Sequence, residues 1–202
     1  MGLKVVIFDL GGVLFESNFS KRVAAFNKLG FTDFAESYNE LKQTGLIKRL
    51  EVGEISATDF YVEFRKQLNC ELSDRQIGEA WCKMIGSFNL ERLSFLEKLS
   101  KKYRLFACSN TNEILTPAVE EKCLKEAGLP LSSYFEAIFY SHKLGLRKPD
   151  VEMFRRVVSL IKENEDEVMF IDDDLSNVEA ARKLGLQALQ LLPTRPIAEL
   201  NL

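Results

Sequence analysis

The chain has no excess of basic residues: 27 Lys and Arg stand against 30 Asp and Glu, a net charge of −3. Without a basic face, neither nucleic acid nor an anionic membrane surface is an expected partner. There is no CxxC pair and no Cys/His cluster. The four cysteines, Cys70, Cys82, Cys108 and Cys123, are scattered. With no secretory signal they read as reduced packing residues, which argues against a disulfide framework and a structural zinc site. Long apolar runs are missing too. The opening stretch Val5-Val6-Ile7-Phe8 is too short for a signal sequence or a membrane span, so a cytoplasmic location is expected. The one histidine, His142, has no serine or cysteine set beside it by a motif, and a Ser/His/Asp hydrolase is unsupported. GxGxxG and GxxxxGK[ST] are both absent, so neither a dinucleotide fold nor a P-loop kinase is indicated. There are no repeats and no low-complexity segments.

What is present is an alternation of short apolar runs and helical patterns. Lys4 to Phe8 reads as a buried parallel strand that breaks at Asp9-Leu10-Gly11-Gly12. From Phe19 to about Met84 apolar residues recur at helical spacing: Val23, Phe26 and Leu29, then Phe34, Tyr38 and Leu41, then Phe60, Phe64 and Leu68, and finally Ile77, Trp81 and Met84. Ser56 and Ser73 are placed as N-caps. This stretch is expected to be an all-helical insertion of four or so helices. After it, strands over 104–108, 137–140, 168–171 and 187–191 alternate with helices over 90–99, 112–128, 150–162 and 176–184. The expected fold is α/β: a doubly wound, Rossmann-like parallel sheet with an inserted helical cap, residues 1–15 and 87–202 forming the core and 16–86 the cap. The segment from Thr194 to Leu202 is expected to be a loosely packed end.

In a doubly wound sheet the site lies beyond the carboxyl ends of the strands. Three strands end in reactive groups: Asp9, Ser109-Asn110 and Asp172-Asp173-Asp174. Lys148 follows a fourth. Three carboxylates at close range repel unless a counter-charge is present, and an oxygen-liganded Mg²⁺ meets that need. Asp174 also suits the N-cap of the helix that follows. Ser109 and Asn110 can bind phosphoryl oxygens or serve as a turn. Lys148 can neutralise phosphate and aspartate together. His142 reads as structural.

These residues resemble the haloacid dehalogenase superfamily. Its first motif corresponds to Val5-Val6-Ile7-Phe8-Asp9-Leu10-Gly11-Gly12-Val13-Leu14, its second to Ser109-Asn110-Thr111-Asn112, its third to Lys148-Pro149, and its fourth to Phe170-Ile171-Asp172-Asp173-Asp174 with Asn177. The inserted helices resemble the C1-type cap. Within the superfamily the chain is similar to bacterial sugar-phosphate phosphatases acting on α-D-glucose 1-phosphate, through Gly53-Glu54-Ile55-Ser56 and Gly145-x-Arg147-Lys148-Pro149.

The resemblance implies a hydrolase in which Asp9 attacks phosphorus. Mg²⁺ would be held by Asp9, the backbone carbonyl of Gly11, Asp172 and Asp173. Ser109, Asn110 and Lys148 would bind the phosphoryl group of a small-molecule phosphate ester. Monomer and dimer both remain open. One position departs from the pattern. Many members carry an acid/base aspartate two residues after the nucleophile, and here that residue is Gly11. A positioned acid is typically worth ~10²–10⁴-fold. Glu54 is the candidate substitute, and Trp81, Phe19 and Tyr61 are candidates for the inner face of the cap. Two alternatives stand beside the phosphatase: a 2-haloacid dehalogenase using the same Asp9, and a phosphate-binding protein of low activity.

Overall fold

A computed structural model describes residues 2–200 and 202; Met1 and Asn201, at the ends of the expected core, lie outside it. Five strands, β1 (Val5–Phe8), β4 (Arg104–Ser109), β5 (Ala137–Tyr140), β6 (Val168–Asp172) and β7 (Gln187–Gln190), form one sheet in the order β5-β4-β1-β6-β7. All four pairings are parallel, with Val5 opposite both Arg104 and Val168. β1 is the central strand, and all four of its residues are buried.

Strand geometry explains why both faces are covered. Successive side chains point to opposite faces. Val6 and Phe8 join one core cluster with Leu93, Leu96 and Leu99 of α6 (Leu90–Leu99) and Val119 and Cys123 of α7 (Leu115–Ala127). Val5 and Ile7 join another with α9 (Val151–Ile161) and α10 (Leu175–Leu184). Helix α9 buries Met153, Phe154, Val157, Val158 and Ile161 on one stripe. At about 1.5–3 kcal/mol per fully buried side chain, that stripe alone outweighs any propensity effect.

Between Asn18 and Met84 the chain is helical: α1 (Phe19–Lys28), α2 (Phe34–Gln43), α3 (Leu46–Glu51), α4 (Ala57–Leu68) and α5 (Asp74–Cys82). Ser56 and Ser73 each make a reciprocal capping box, with Asp59 and Gln76. These helices enclose their own aromatic cluster, where Phe26 and Phe34 stack at 3.9 Å and Trp81 is 1% exposed. Two short strands, β2 (Phe15–Ser17) and β3 (Ile85–Phe88), pair antiparallel and join the helices to the sheet. The periodicity of the flanking segments gave no sign of this ribbon, since three or four residues are too few to establish alternation.

The C-terminal segment differs from the expected loose end. Ile197 and Leu200 are buried in the first core cluster, and a short 3₁₀ turn spans Ile197–Leu200. Packing of its apolar residues overrode the late proline there. All four cysteines are free, with Cys108 and Cys123 buried. No helix among the described residues is long and apolar enough to cross a membrane.

Candidate active site

β1, β4 and β6 all end at the same edge of the sheet, and there the structure brings together Asp9, Ser109, Lys148, Asp172 and Asp173 around a cavity of about 320 Å³. Asp9 accepts its backbone position from the sheet: its N–H donates to the Ile171 carbonyl at 2.8 Å. Lys148 is 1% exposed, and its Nζ donates to Asp9 Oδ1 and to Asp172 Oδ2, each at 2.6 Å. Asp172 is fixed further by the Asp174 N–H at 2.8 Å and by Asn177 Nδ2 at 3.0 Å. Asp174 caps α10 by accepting from the Ser176 N–H.

Carboxylate oxygens of Asp9, Asp172 and Asp173 lie within 4.8 Å of one another. Three carboxylates and one ammonium leave two net negative charges in a buried place. Burial is the largest influence on Asp9; with the charges of Asp172 and Asp173 it raises the carboxyl to about 7, against the opposing pull of Lys148. Burial and the neighbouring Asp172 raise Asp173 to about 6. Burial works against the charged form of Lys148, but Asp9 and Asp172 outweigh it and hold the ammonium above the ordinary lysine value. Hard oxygen donors with a net charge of −2 fit a divalent cation of the Mg²⁺ type.

Gly12 sits in the left-handed region at φ +85°, and any Cβ there would overlap the Asp173 carboxylate. Glycine is required by both the turn and the close approach. Gly11 is different: a Cβ would meet Ser17 Cβ at 3.5 Å and the Phe15 ring at 3.6 Å, ordinary contact distances.

Asn110 lines the cavity, but its side chain is committed elsewhere. Its Oδ1 accepts from the Lys148 N–H and its Nδ2 donates to the Lys148 carbonyl, both at 2.8 Å. The amide therefore clamps the backbone of Lys148. The Ser109 hydroxyl lines the cavity with no side-chain hydrogen bond among the described residues. The loop beyond it is tied down by Ser141 Oγ, which accepts from the Thr111 N–H and donates to the Thr111 carbonyl, both at 2.9 Å.

Other expected residues stay away. Glu54 is exposed and faces Arg49 at 3.5 Å. Its turn instead packs Gly53 (φ +66°) against the His142 carbonyl. Trp81 belongs to the helical core, Phe19 packs on Tyr38, and neither they, Tyr61 nor His142 lines the cavity. The wall facing the aspartates is formed by Phe15 and Ser17 of β2, Met84, Ile85, and Leu115, Thr116 and Val119 of α7. Among the described residues, Lys148 is the only cation in the lining. Phe15, Ser17 and Ile85 escape a reading of the sequence because the ribbon that carries them does, whereas Leu115, Thr116 and Val119 lie on a helix whose pattern is visible.

With fold and geometry in place, the comparisons agree. The model of haloacid dehalogenase-like hydrolases matches residues 3–185, and the chain belongs to that family. It is 32% identical over 192 residues to a D-ribitol-5-phosphate phosphatase of Bacteroides thetaiotaomicron, covering 93% of this chain and 91% of that one. A sesquiterpene phosphatase of Aspergillus oryzae is 29% identical over 195 residues, with 93% and 89% covered. The crystal structure of a HAD family enzyme from Bacteroides thetaiotaomicron, in complex with magnesium and inorganic phosphate, superposes with a TM-score of 0.91 at 29% identity, covering 98% of this chain and 99% of that one.

Proposed function

We propose that this protein is a Mg²⁺-dependent phosphomonoester hydrolase that passes the phosphoryl group through Asp9 and acts on the monophosphate of a small neutral alcohol, a sugar or polyol. The observation that carries the proposal is the Lys148 ammonium held between Asp9 and Asp172, with Asp173 beside them. The phosphatases among the relatives support the reaction class. Residues 16–86 are taken as the cap and residues 1–15 with 87–202 as the core.

Asp9, Asp172, Asp173 and the Gly11 carbonyl would hold Mg²⁺, which when bound supplies positive charge against the phosphoryl oxygens. Lys148 supplies a second, permanent charge and fixes the Asp9 carboxylate for attack. An Asp9 oxygen forms a bond to phosphorus as the ester P–O bond breaks, and the electron pair leaves with the alcohol oxygen. Ser109 donates to a phosphoryl oxygen. Water then attacks phosphorus, the P–O bond to Asp9 breaks, and phosphate leaves. The departing alkoxide takes its proton from water, because position 11 carries no acid. A dehalogenase attacking carbon would have no use for the third carboxylate and the net charge of −2.

The neutral leaving group follows from the wall. Outside the aspartates and Lys148, the lining offers apolar surface and neutral polar groups, among them Ser17, Ser109, Thr111 and Thr116, with no further cation among the described residues for a second phosphate or a carboxylate. Phosphate release over a panel of phosphate esters, with and without Mg²⁺, tests this. Release is expected with Mg²⁺ alone and from neutral monoesters ahead of bisphosphates and phosphorylated acids. Metal-independent release, or none from any ester, would overturn the proposal.

A further inference from the structure

Arg92 makes a set of contacts that neither the motifs nor the proposed chemistry uses. It lies in the first turn of α6, 3% exposed, with its N–H capped by Asn89 Oδ1 at 3.1 Å. Its guanidinium meets five backbone carbonyls from two segments. Nη1 donates to Val13 O at 2.5 Å and reaches Gly12 O at 3.4 Å. Nη2 is within hydrogen-bond distance of Leu192 O at 3.1 Å, Pro193 O at 3.1 Å and Arg195 O at 2.9 Å. Among the described residues no carboxylate lies within ion-pair distance of it, so a full buried charge is solvated by peptide dipoles alone. Burial lowers its pKa, and Asp173 is among the charges that act against this.

The turn it grips is the one beneath the site. Gly12 N–H donates to Phe15 O at 2.8 Å, and that peptide unit carries the Gly11 carbonyl. The following two carbonyls end on Arg92. The Gly12 backbone also runs directly under the Asp173 carboxylate. Both ends of the Gly11–Val13 stretch are therefore fixed, one by the turn and the other by the guanidinium. A planar group with a fixed fork of donors suits this task, and an ammonium does not.

We propose that Arg92 is a positioning residue of the metal site: by joining the Gly12–Val13 turn to the Leu192–Arg195 segment, it sets the Gly11 carbonyl against the three aspartates. The C-terminal segment is thereby a working support of the site and more than the end of the fold. This rests on the Mg²⁺ site proposed above.

The test is the Mg²⁺ dissociation constant, read by titration calorimetry on wild type, Arg92→Met and Arg92→Lys, with melting temperatures measured in parallel. Arg104→Met, which removes an ion pair with Glu136 and Glu163 far from the aspartates, is the control. Arg92→Met is expected to weaken Mg²⁺ binding at least about tenfold, the range typical for a lost supporting partner. Arg92→Lys should fall with it, because one ammonium cannot span both segments. Arg104→Met should leave the constant unchanged. If the methionine variant does not fold, the lysine variant carries the measurement. Folded variants that bind Mg²⁺ as wild type does, whatever their melting temperatures, would overturn this inference alone. Wild-type protein that binds no Mg²⁺ would overturn the metal site itself.

Discussion

Lys148 is held at both of its ends. Asn110 clamps its backbone, and Asp9 and Asp172 hold its ammonium. Such a lysine has lost most of its rotamer freedom before substrate arrives, so the charge is already aimed when phosphate binds. Gly11 is the opposite case, a position where chemistry is missing and space is present. Introducing Gly11→Asp should place an acid beside the leaving oxygen without a backbone penalty, since the added Cβ meets only ordinary contacts. Turnover of alkyl phosphates should rise by about 10²-fold, the low end for a positioned acid, while aryl phosphates with good leaving groups change little. The measurement is kcat against leaving-group acidity for both proteins. Equal slopes would mean that wild type already has an acid. Asp9, Asp172 and Asp173 were legible in the sequence because each stands where an expected strand ends, and Lys148 because it lies in the loop after another. Asn110 was legible as a site residue, but its hold on the Lys148 backbone was not, because that partner is set by a loop 38 residues away. Arg92 carried no signal at all: an arginine in a helix is the commonest of surface residues, and only folding shows it buried.

At the scale of elements, what was readable depended on length. Strands of four to six residues with apolar runs, and helices of ten or more with a stripe, were visible as patterns. Helix α9 and strand β1 needed nothing but their own residues. The β2–β3 ribbon did not establish its own pattern; a three-residue strand takes its identity from its partner, here across the whole helical stretch between Ser17 and Ile85. That omission propagated, because Phe15, Ser17 and Ile85 of the ribbon line the cavity. The aromatic side chains with the strongest helical periodicity, Phe26, Phe60, Phe64 and Trp81, instead pack on one another. A wide aromatic stripe reports a helical core first, and a substrate wall only when nothing else covers it. The end of the chain was misread for a related reason. Its late proline resembles a loop, yet Arg92 gathers carbonyls from Leu192 to Arg195, and Ile197 and Leu200 close the core.

The whole molecule couples metal, protons and stability through the same carboxylates. Asp9 and Asp173 are raised to about 7 and about 6 from an ordinary value of 3.8, so between about pH 4 and 7 the folded chain holds more protons than the unfolded one. A raised carboxylate contributes stability that is present at low pH and lost as pH rises through the folded pKa. Glu51, half-buried and also raised by desolvation, acts in the same sense. His142, lowered by burial from 6.5, acts in the opposite sense. The carboxylates outnumber it, so metal-free protein should melt at a lower temperature at pH 8 than at pH 6. The loss per proton is about 1.4 kcal/mol per pH unit, and each kcal/mol is about 2–4 °C for a chain of this size. Mg²⁺ at 100 times its dissociation constant adds about 2.7 kcal/mol and should do so more fully at pH 8, where no proton has to leave. Melting scans at both pH values, with chelator and with Mg²⁺, check this; a pH trend of the other sign would contradict the charge assignments.

In the proposed reaction every phosphoryl group passes through Asp9, and acid-quenched peptide mapping of the protein during turnover of an aryl phosphate with Mg²⁺ tests this. A phosphoryl group on the peptide that carries Asp9, absent without Mg²⁺ and absent in Asp9→Asn, is the predicted result. Phosphate release with no adduct on that peptide, at a rate that Asp9→Asn leaves unchanged, would contradict it.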